Sequence, residues 1–437
     1  LWSNKQLIIM TEAKYRPRVV DAILQKKLQG TGAVLIEGPK WCGKTTTAEQ
    51  HSNSVLYMDA PSSKQSNITT ASINPELLLE GSTPRLIDEW QIAPQLWDAV
   101  RFTVDHRRAE GQFILTGSAV PLIGEQEKEL MHTGTGRIGR LRMRPMSLWE
   151  SGDSSGKISL KLLFDGVEQS AICNTNLEHI AFLVCRGGWP RATFQEPEIA
   201  LDRAVDYFDA VVNTDIQRVD GVLRNPNRTA RIMRSYARLQ GTQSPISAIS
   251  ADLKANENST FDDRTLSAYI NALRLIFVVE DLPAWNPNLR SKSAIRTSDT
   301  RYFIDPSIAV AALGLGPKDL LNDLNTFGFL FECMCIRDLR VFADALNGQV
   351  FHYRDKDGLE CDAVMHLRNG AYGLIEVKLG GDKLIDEGAA NLIKLSKKID
   401  TNSMKEPSFM MVLTAVGNYA FKRPDGVYVV PVSCLKD

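Results

Sequence analysis

Long apolar runs are missing from this sequence. None of its 437 residues belongs to a stretch approaching the roughly 18 apolar positions that cross a bilayer, so no membrane partner is expected. An excess of either charge is missing too: 51 lysines and arginines stand against 52 aspartates and glutamates. The chain as a whole is not a polycation, and any nucleic-acid contact must come from local patches. Paired cysteine motifs are absent. The seven cysteines are scattered at 42, 173, 185, 333, 335, 361 and 434, and the six histidines do not cluster with them. Cys333 and Cys335 fall in a helical pattern, where positions two apart point away from each other, a poor arrangement for zinc or redox chemistry. Scattered thiols in odd number fit a reducing cytoplasm. Leu1 to Ile9 lack the basic region, apolar core and small-residue cleavage site of a secretory signal, and Met10 reads as a natural start. What remains is the balance of a soluble globular protein, 43% apolar and 24% charged, over a length that calls for two or three domains.

Against that plain background one motif stands out. Gly38-Pro39-Lys40-Trp41-Cys42-Gly43-Lys44-Thr45 spells G-x-x-x-x-G-K-T, with Thr46 next, directly after the apolar run Ala33-Val34-Leu35-Ile36. A buried strand, a glycine-bounded turn and a helix starting at the lysine are what a phosphate-binding loop requires. The glycines let backbone N–H groups close around a phosphate. Lys44 supplies a point charge for the β- and γ-phosphates, and the Thr45 hydroxyl can ligate Mg²⁺. ATP and Mg²⁺ are therefore the expected ligands.

A second strand, Pro84-Arg85-Leu86-Ile87, ends in Asp88-Glu89. Behind a phosphate loop, such a pair has a division of labour. Asp88 would hold the magnesium shell, and Glu89 would orient and deprotonate the attacking water. A third, Gln112-Phe113-Ile114-Leu115, stops at Thr116-Gly117-Ser118, where Thr116 is either a sensor of the γ-phosphate or part of a plain β-turn.

The succession of phosphate loop, L-I-D-E-W-Q, I-L-T-G-S and G-R-I-G-R-L-R-M-R-P-M-S-L-W-E is similar to one group of AAA+-type ATPases. These are widespread prokaryotic ATP-binding proteins with a C-terminal domain of unknown function, and the resemblance runs from about Tyr15 to the end. It implies a P-loop AAA+/RecA-like α/β core and makes Arg137 a candidate arginine finger. From the residues alone, Arg137, Arg140, Arg142 and Arg144 could stabilise phosphoryl charge in cis or from a neighbouring subunit, or lie along one solvated strand face. A finger from a neighbour requires a homo-oligomer, and a hexamer is one form it could take.

Residues 11–150 read as the ATPase domain, closed by the polar break Ser151 to Gly156. A helical region over 176–315 follows. It opens at Arg186-Gly187-Gly188-Trp189-Pro190, a turn that matches the family and whose job reads as structural. Arg224, Arg228, Arg231, Arg234 and Arg238 then fall mostly on one helix face. Two short helices and a loop at 283–298 complete a winged-helix-like pattern, with 11 Arg/Lys against 7 Asp/Glu over 221–300. Either the helix starting near Asp263 enters a DNA major groove with the arginine row on phosphates, or the unit only packs and couples subunits.

The last region, 316–437, carries Asp362 and, after a turn at Arg368-Asn369-Gly370, Glu376-x-Lys378. That is the spacing of PD-(D/E)xK nucleases and predicts a restriction-endonuclease-like α/β domain. Adjacent strands would set Asp362 and Glu376 side by side for Mg²⁺, period two would set Lys378 beside the attacking water, and Glu332 would complete the cluster. An edge strand with alternating acidic and basic residues would read the same way. Taken together, the sequence predicts a Mg²⁺-dependent ATPase acting on DNA, structured or branched DNA above all, with a nuclease-like domain that binds or cuts. The alternative is an ATP-dependent oligomeric switch for a protein partner, its nuclease-like domain inert.

Overall fold

In the computed structural model, residues 15–118, 135–219, 222–286, 298–399 and 404–437 are described. The expected start at Met10 and most of the loop at 283–298 lie outside them. Alternation within short apolar strands decides the first layer. Ala33–Glu37 (β1), Ser54–Tyr57 (β2), Arg85–Asp88 (β3), Phe113–Gly117 (β4) and Ile138–Arg142 (β5) form one sheet in the order β2-β3-β4-β1-β5, with every described pairing parallel. Ala33, Leu35, Ile87 and Leu115 face one way, onto Leu96, Trp97 and Val100 of the helix Gln95–Arg107. Val34, Ile36, Leu86 and Ile114 face the other way, onto Leu24 and Ala48. Both faces are covered, which is why these strands read as unbroken apolar runs instead of alternating ones. Each such side chain contributes about 1.5–3 kcal/mol when fully buried. β1 lies inside the sheet, so its C-terminal end opens into the crevice where parallel α/β sheets bind ligands.

The middle of the chain is helical, and its helix starts are capped by short polar side chains. Asn176, Asn225 and Asp262 accept from the N–H groups of His179, Arg228 and Thr265. The C-terminal region builds a seven-stranded sheet from Ala171–Ile172 (β7), Gly348–Arg354 (β8), Glu360–Leu367 (β9), Tyr372–Lys378 (β10), Phe409–Thr414 (β11), Tyr419–Lys422 (β12) and Tyr428–Pro431 (β13), in the order β7-β12-β13-β11-β10-β9-β8. Its edge strand β7 is borrowed from the segment that follows the polar break, and Ile158–Ser159 (β6) pairs likewise with Leu435–Lys436 (β14).

One apolar cluster runs from Leu148 through the helical middle to Leu435, so these two regions share a core. Buried ion pairs tie the ATPase sheet to that body. Arg337 bonds Asp305 at 2.9 Å and Asp338 at 2.7 Å, and Asp338 accepts from the Leu148 N–H at 2.9 Å. Arg144, after β5, reaches Glu280 at 2.7 Å and also pairs with Asp344. Burial pushes Glu280 up, but Arg144 and Arg340 outweigh it and hold this carboxyl far below the usual range. None of the described helices is long and apolar enough to cross a membrane.

Candidate functional site

The turn after β1 is shaped by backbone that ordinary residues avoid. Gly43 sits at φ +99°, Trp41 at φ 64°, and the helix Lys44–Gln50 starts immediately after. Space is as tight as conformation: a Cβ on Gly38 would lie 2.1 Å from the Met143 carbonyl oxygen. Among the described residues, the backbone N–H groups of Lys40 to Thr45 donate to no acceptor. The Lys44 ammonium, on a nearly buried side chain, donates to the carbonyls of Gly38 at 3.0 Å and Pro39 at 2.8 Å. A run of free amides around a buried lysine is a cradle for an anion, and the residues present fit a polyphosphate.

The carboxylates lie beside it. Thr45 donates to Asp88 Oδ1 at 2.7 Å, and Thr116 donates to the same oxygen. Asp88 is 6% exposed; burial raises its pKa, and the two hydroxyl bonds oppose that rise. This hydroxyl–carboxylate pair at the loop fits Mg²⁺ and its water shell. Glu89 stands in the left-handed region at φ 54°, a strain of order 1–3 kcal/mol that turns its side chain toward the loop. Gln91 and Ser118 donate to its Oε2. Burial raises the Glu89 pKa and Lys44 pulls it back. The sequence had left Thr116 open between phosphate sensor and turn. The structure buries it completely, its hydroxyl donating to Asp88 and accepting from the Glu89 N–H, so it ties the two carboxylate residues together.

The wall opposite the loop comes from the helical middle. A cavity of about 440 Å³ is lined by Lys40, Trp41, Gly43 to Thr46 and Glu89 on one side, and by Trp189, Pro190, Arg191, Ala192 and Arg203 on the other. The glycine-glycine-tryptophan-proline turn is thus both structural and part of the site. A Cβ on Gly188 would meet the Met146 carbonyl oxygen at 2.1 Å, while Trp189 stacks on Tyr207 and donates to Ser307 at 2.9 Å. Tyr207 in turn meets the edge of Trp41, and Asp215 pairs with Lys40. Sequence reasoning missed Arg191 and Arg203. The P-R that closes the turn was the available signal, but nothing in spacing brings it to a loop some 150 residues earlier.

Residues 30–151 match the family described as AAA domain. The chain carries a P-loop ATPase domain. Residues 177–319 and 327–435 match two families described as domains of unknown function, DUF8612 and DUF4143. Curated relatives include the uncharacterized proteins Rv2008c of Mycobacterium tuberculosis and Mb2031c of Mycobacterium bovis, each 23% identical over 364 residues, 83% of this chain and 73% of theirs. A solved structure, the Walker-type ATPase PABY2304 of Pyrococcus abyssi, superposes with a TM-score of 0.41 at 14% identity, over 69% of this chain and 99% of that one.

Outside the P-loop ATPase cavity, the basic stretch departs from expectation. Arg137 precedes Ile138, which pairs with Ala33 at the far end of β1 from the loop. Five strand residues separate it from the phosphate cradle of its own chain, about 15 Å, and it pairs with Asp105 at 2.8 Å. On its own chain it stands away from the cradle. Arg140 and Arg142 reach Glu37 at 3.3 and 3.5 Å, and Arg144 is held in the buried network above. The arginine row of the middle region is also committed. Arg238 bonds Asp252 and Glu257, Arg234 bonds Glu257, Arg228 lies over Phe261, and Arg224 is buried against Tyr269. Arg224, Arg234 and Arg238 thus hold the helical region together, while Arg228 and Arg231 stay exposed, Arg231 bonding Ser259.

In the C-terminal sheet, β9 and β10 run antiparallel with Ala363 opposite Ile375, and one step further sets Asp362 across from Glu376. Strand, turn and strand stand as the spacing predicts. Glu332 arrives from the helix Leu324–Ala345 and accepts from Tyr302. The carboxylates are, however, bridged by their own lysine. Among the described residues no three His, Cys, Asp or Glu side chains are gathered to hold an ion. The Lys378 ammonium instead bridges Glu376 at 2.6 Å and Asp362 at 3.3 Å. Burial and the neighbouring Asp362 still push Glu376 well above the ordinary carboxylate range, and Glu332 likewise. The expectation of scattered, unpaired thiols fails at one place: Cys173 and Cys434, 261 positions apart, form a disulfide beside the β6–β14 pair, while the other five cysteines are free and buried.

Proposed function

We propose that this chain is a Mg²⁺-dependent ATPase that acts on DNA, structured or branched DNA being the expected substrate. The observation that carries hydrolysis is the convergence of Lys44, Thr45 and Glu89 on one cavity, with Asp88 bonded to Thr45 at 2.7 Å. Lys44 exchanges its two loop carbonyls for phosphate oxygens. Thr45 and Asp88 would hold Mg²⁺ and its water shell, which would supply charge neutralisation for the phosphates. Glu89, raised by burial, accepts the proton of the water that attacks the γ-phosphorus, and ADP leaves with the bridging oxygen. Arg191 is exposed and makes no ion pair among the described residues, so it is the cis cation free to meet the γ-phosphate from the roof. Arg137 acts only in a homo-oligomer, on a neighbouring copy's nucleotide.

Action on DNA is supported by the company this ATPase keeps: the helices Ile246–Asn256 and Asp263–Leu275, and a sheet carrying the D…E-x-K residues. The test is ATP turnover without DNA and with single-stranded, duplex and four-way-junction DNA. Stimulation by one form supports the reading and names the substrate; indifference to all three, with no salt-dependent binding, overturns it. A second reading, an ATP-driven switch for a protein partner with an inert nuclease-like domain, is favoured by one observation: Lys378 occupies the place between the carboxylates.

A further inference from the structure

We infer that the cleft between the ATPase sheet and the C-terminal sheet is a binding groove for a single strand of nucleic acid. The inference rests on the proposed action on DNA and locates the contact away from the two-helix unit. The cleft holds about 1060 Å³. Its cations come from four separate elements: Lys26 and Lys27 from the helix Val19–Leu28, Arg140 and Arg142 from β5, Arg368 from the β9–β10 turn, and Lys405 from the entry to β11. Only two acids line it, and both are spoken for. Glu37 is shared by Arg140 and Arg142, and Asp344 is paired with Arg144.

Lys26, Lys27, Arg368 and Lys405 have no ion-pair partner among the described residues. In a chain with a net charge of −1, four unpaired cations converging on one concavity are a costly placement unless an anion completes them. By contrast Arg234 and Arg238 of the arginine row in the middle region are paired with Asp252 and Glu257. Phe351 and His366, both partly buried, also line it between the basic walls. Cations that track a backbone and aromatic faces that receive bases are the two components of sequence-tolerant single-strand binding. The groove touches β5 on one side and β8, β9 and the β9–β10 turn on the other, so a strand in it would lie between the P-loop domain and the C-terminal sheet.

The experiment uses the full chain and a fluorescent oligo-dT of about 20 nucleotides, read by anisotropy. Four phosphates neutralised predict an affinity that falls roughly 50-fold between about 50 and 200 mM salt. Lys26→Glu, Lys27→Glu, Arg368→Glu and Lys405→Glu combined should weaken binding at least about 10-fold and flatten the salt slope, with ATP turnover in the absence of DNA unchanged. Arg228→Glu should leave binding as it is. Photocrosslinking of an iodouracil oligonucleotide should label Phe351 or His366, and stands in if the combined variant fails to fold. Undiminished binding and labelling elsewhere would overturn the groove and leave the action on DNA standing. No binding of oligo-dT by the unaltered protein at low salt would overturn the groove alone, indifference of ATP turnover and binding to duplex and junction DNA as well would overturn both, and retention of polyglutamate in place of oligo-dT would give the cleft to an acidic protein instead.

Discussion

Two places in this molecule bring together an aspartate, a glutamate and a lysine, and they use the three differently. At the phosphate loop Lys44 bonds backbone carbonyls, and Asp88 is held by two hydroxyls. No strong ion pair has to break before a metal and a phosphate arrive. In the C-terminal sheet Lys378 sits directly on Glu376 and Asp362. There the site neutralises itself, and a cation entering would have to displace a buried ammonium. The same three residue types make a receptive site where neutral oxygens hold them and a closed one where they hold each other.

The largest effects should separate the two lysines. Lys44→Ala should abolish nucleotide binding or turnover. Glu89→Gln should keep binding and lose roughly 10²–10⁴ in turnover. Unchanged turnover in Glu89→Gln would remove it as the base. Because burial raises Glu89, its proton-accepting form is gained only as pH rises past the ordinary carboxylate range. Turnover should therefore climb with pH over that window, and the acid limb should vanish in Glu89→Gln.

The arginines sharpen the picture of the receptive site. Arg191→Ala should lower kcat by up to about 10³ at any protein concentration. Arg137→Ala should lower it only where copies associate, which a dilution series read together with light scattering decides. A concentration-independent loss for Arg137→Ala would contradict its place at the far end of β1.

The closed site predicts an effect on stability. Lys378→Met leaves buried carboxylates without their cation and should cost about 3–5 kcal/mol. The sign with pH follows from Glu376, whose folded-state pKa is raised by burial and by Asp362. The form it prefers is protonated, so its contribution is complete below the unfolded glutamate value and lost as pH rises through the raised one. Melting of Lys378→Met should accordingly fall away with increasing pH more steeply than that of the unaltered protein. A variant that melts normally but loses Mg²⁺-dependent cleavage would turn the closed site into a working one. The smallest test is a thiol count: under denaturing, non-reducing conditions five of the seven cysteines should react, and seven would break the Cys173–Cys434 link.

Much of the receptive site was legible because it is local. G-x-x-x-x-G-K-T after an apolar strand and D-E after another each lie within a few residues, and strand, turn and helix follow from glycines and apolar runs alone. The D…E-x-K pair was legible for the same reason, since one tight turn sets its register. What was not legible depends on residues far apart in the chain. Lys378 has the same spacing whether it serves a water or closes the site, and only the packing of buried carboxylates distinguishes the two. The arginine row likewise has one periodicity whether it meets phosphates or the acids of neighbouring helices.

By itself, then, the sequence determined the identity of the phosphate loop and its carboxylates, and the strand–turn–strand under the second cluster, because backbone conformation and period-two alternation act over a few residues. The tertiary structure alone decided that the turn at Trp189 walls the nucleotide cavity, that Arg137 faces away from it, that β7 completes a sheet some 250 residues later, and that unpaired lysines and arginines from four elements share one cleft. Charges and cavities of that kind arise where separate elements meet, and their pairing is set by three-dimensional distance, which spacing along the chain does not encode.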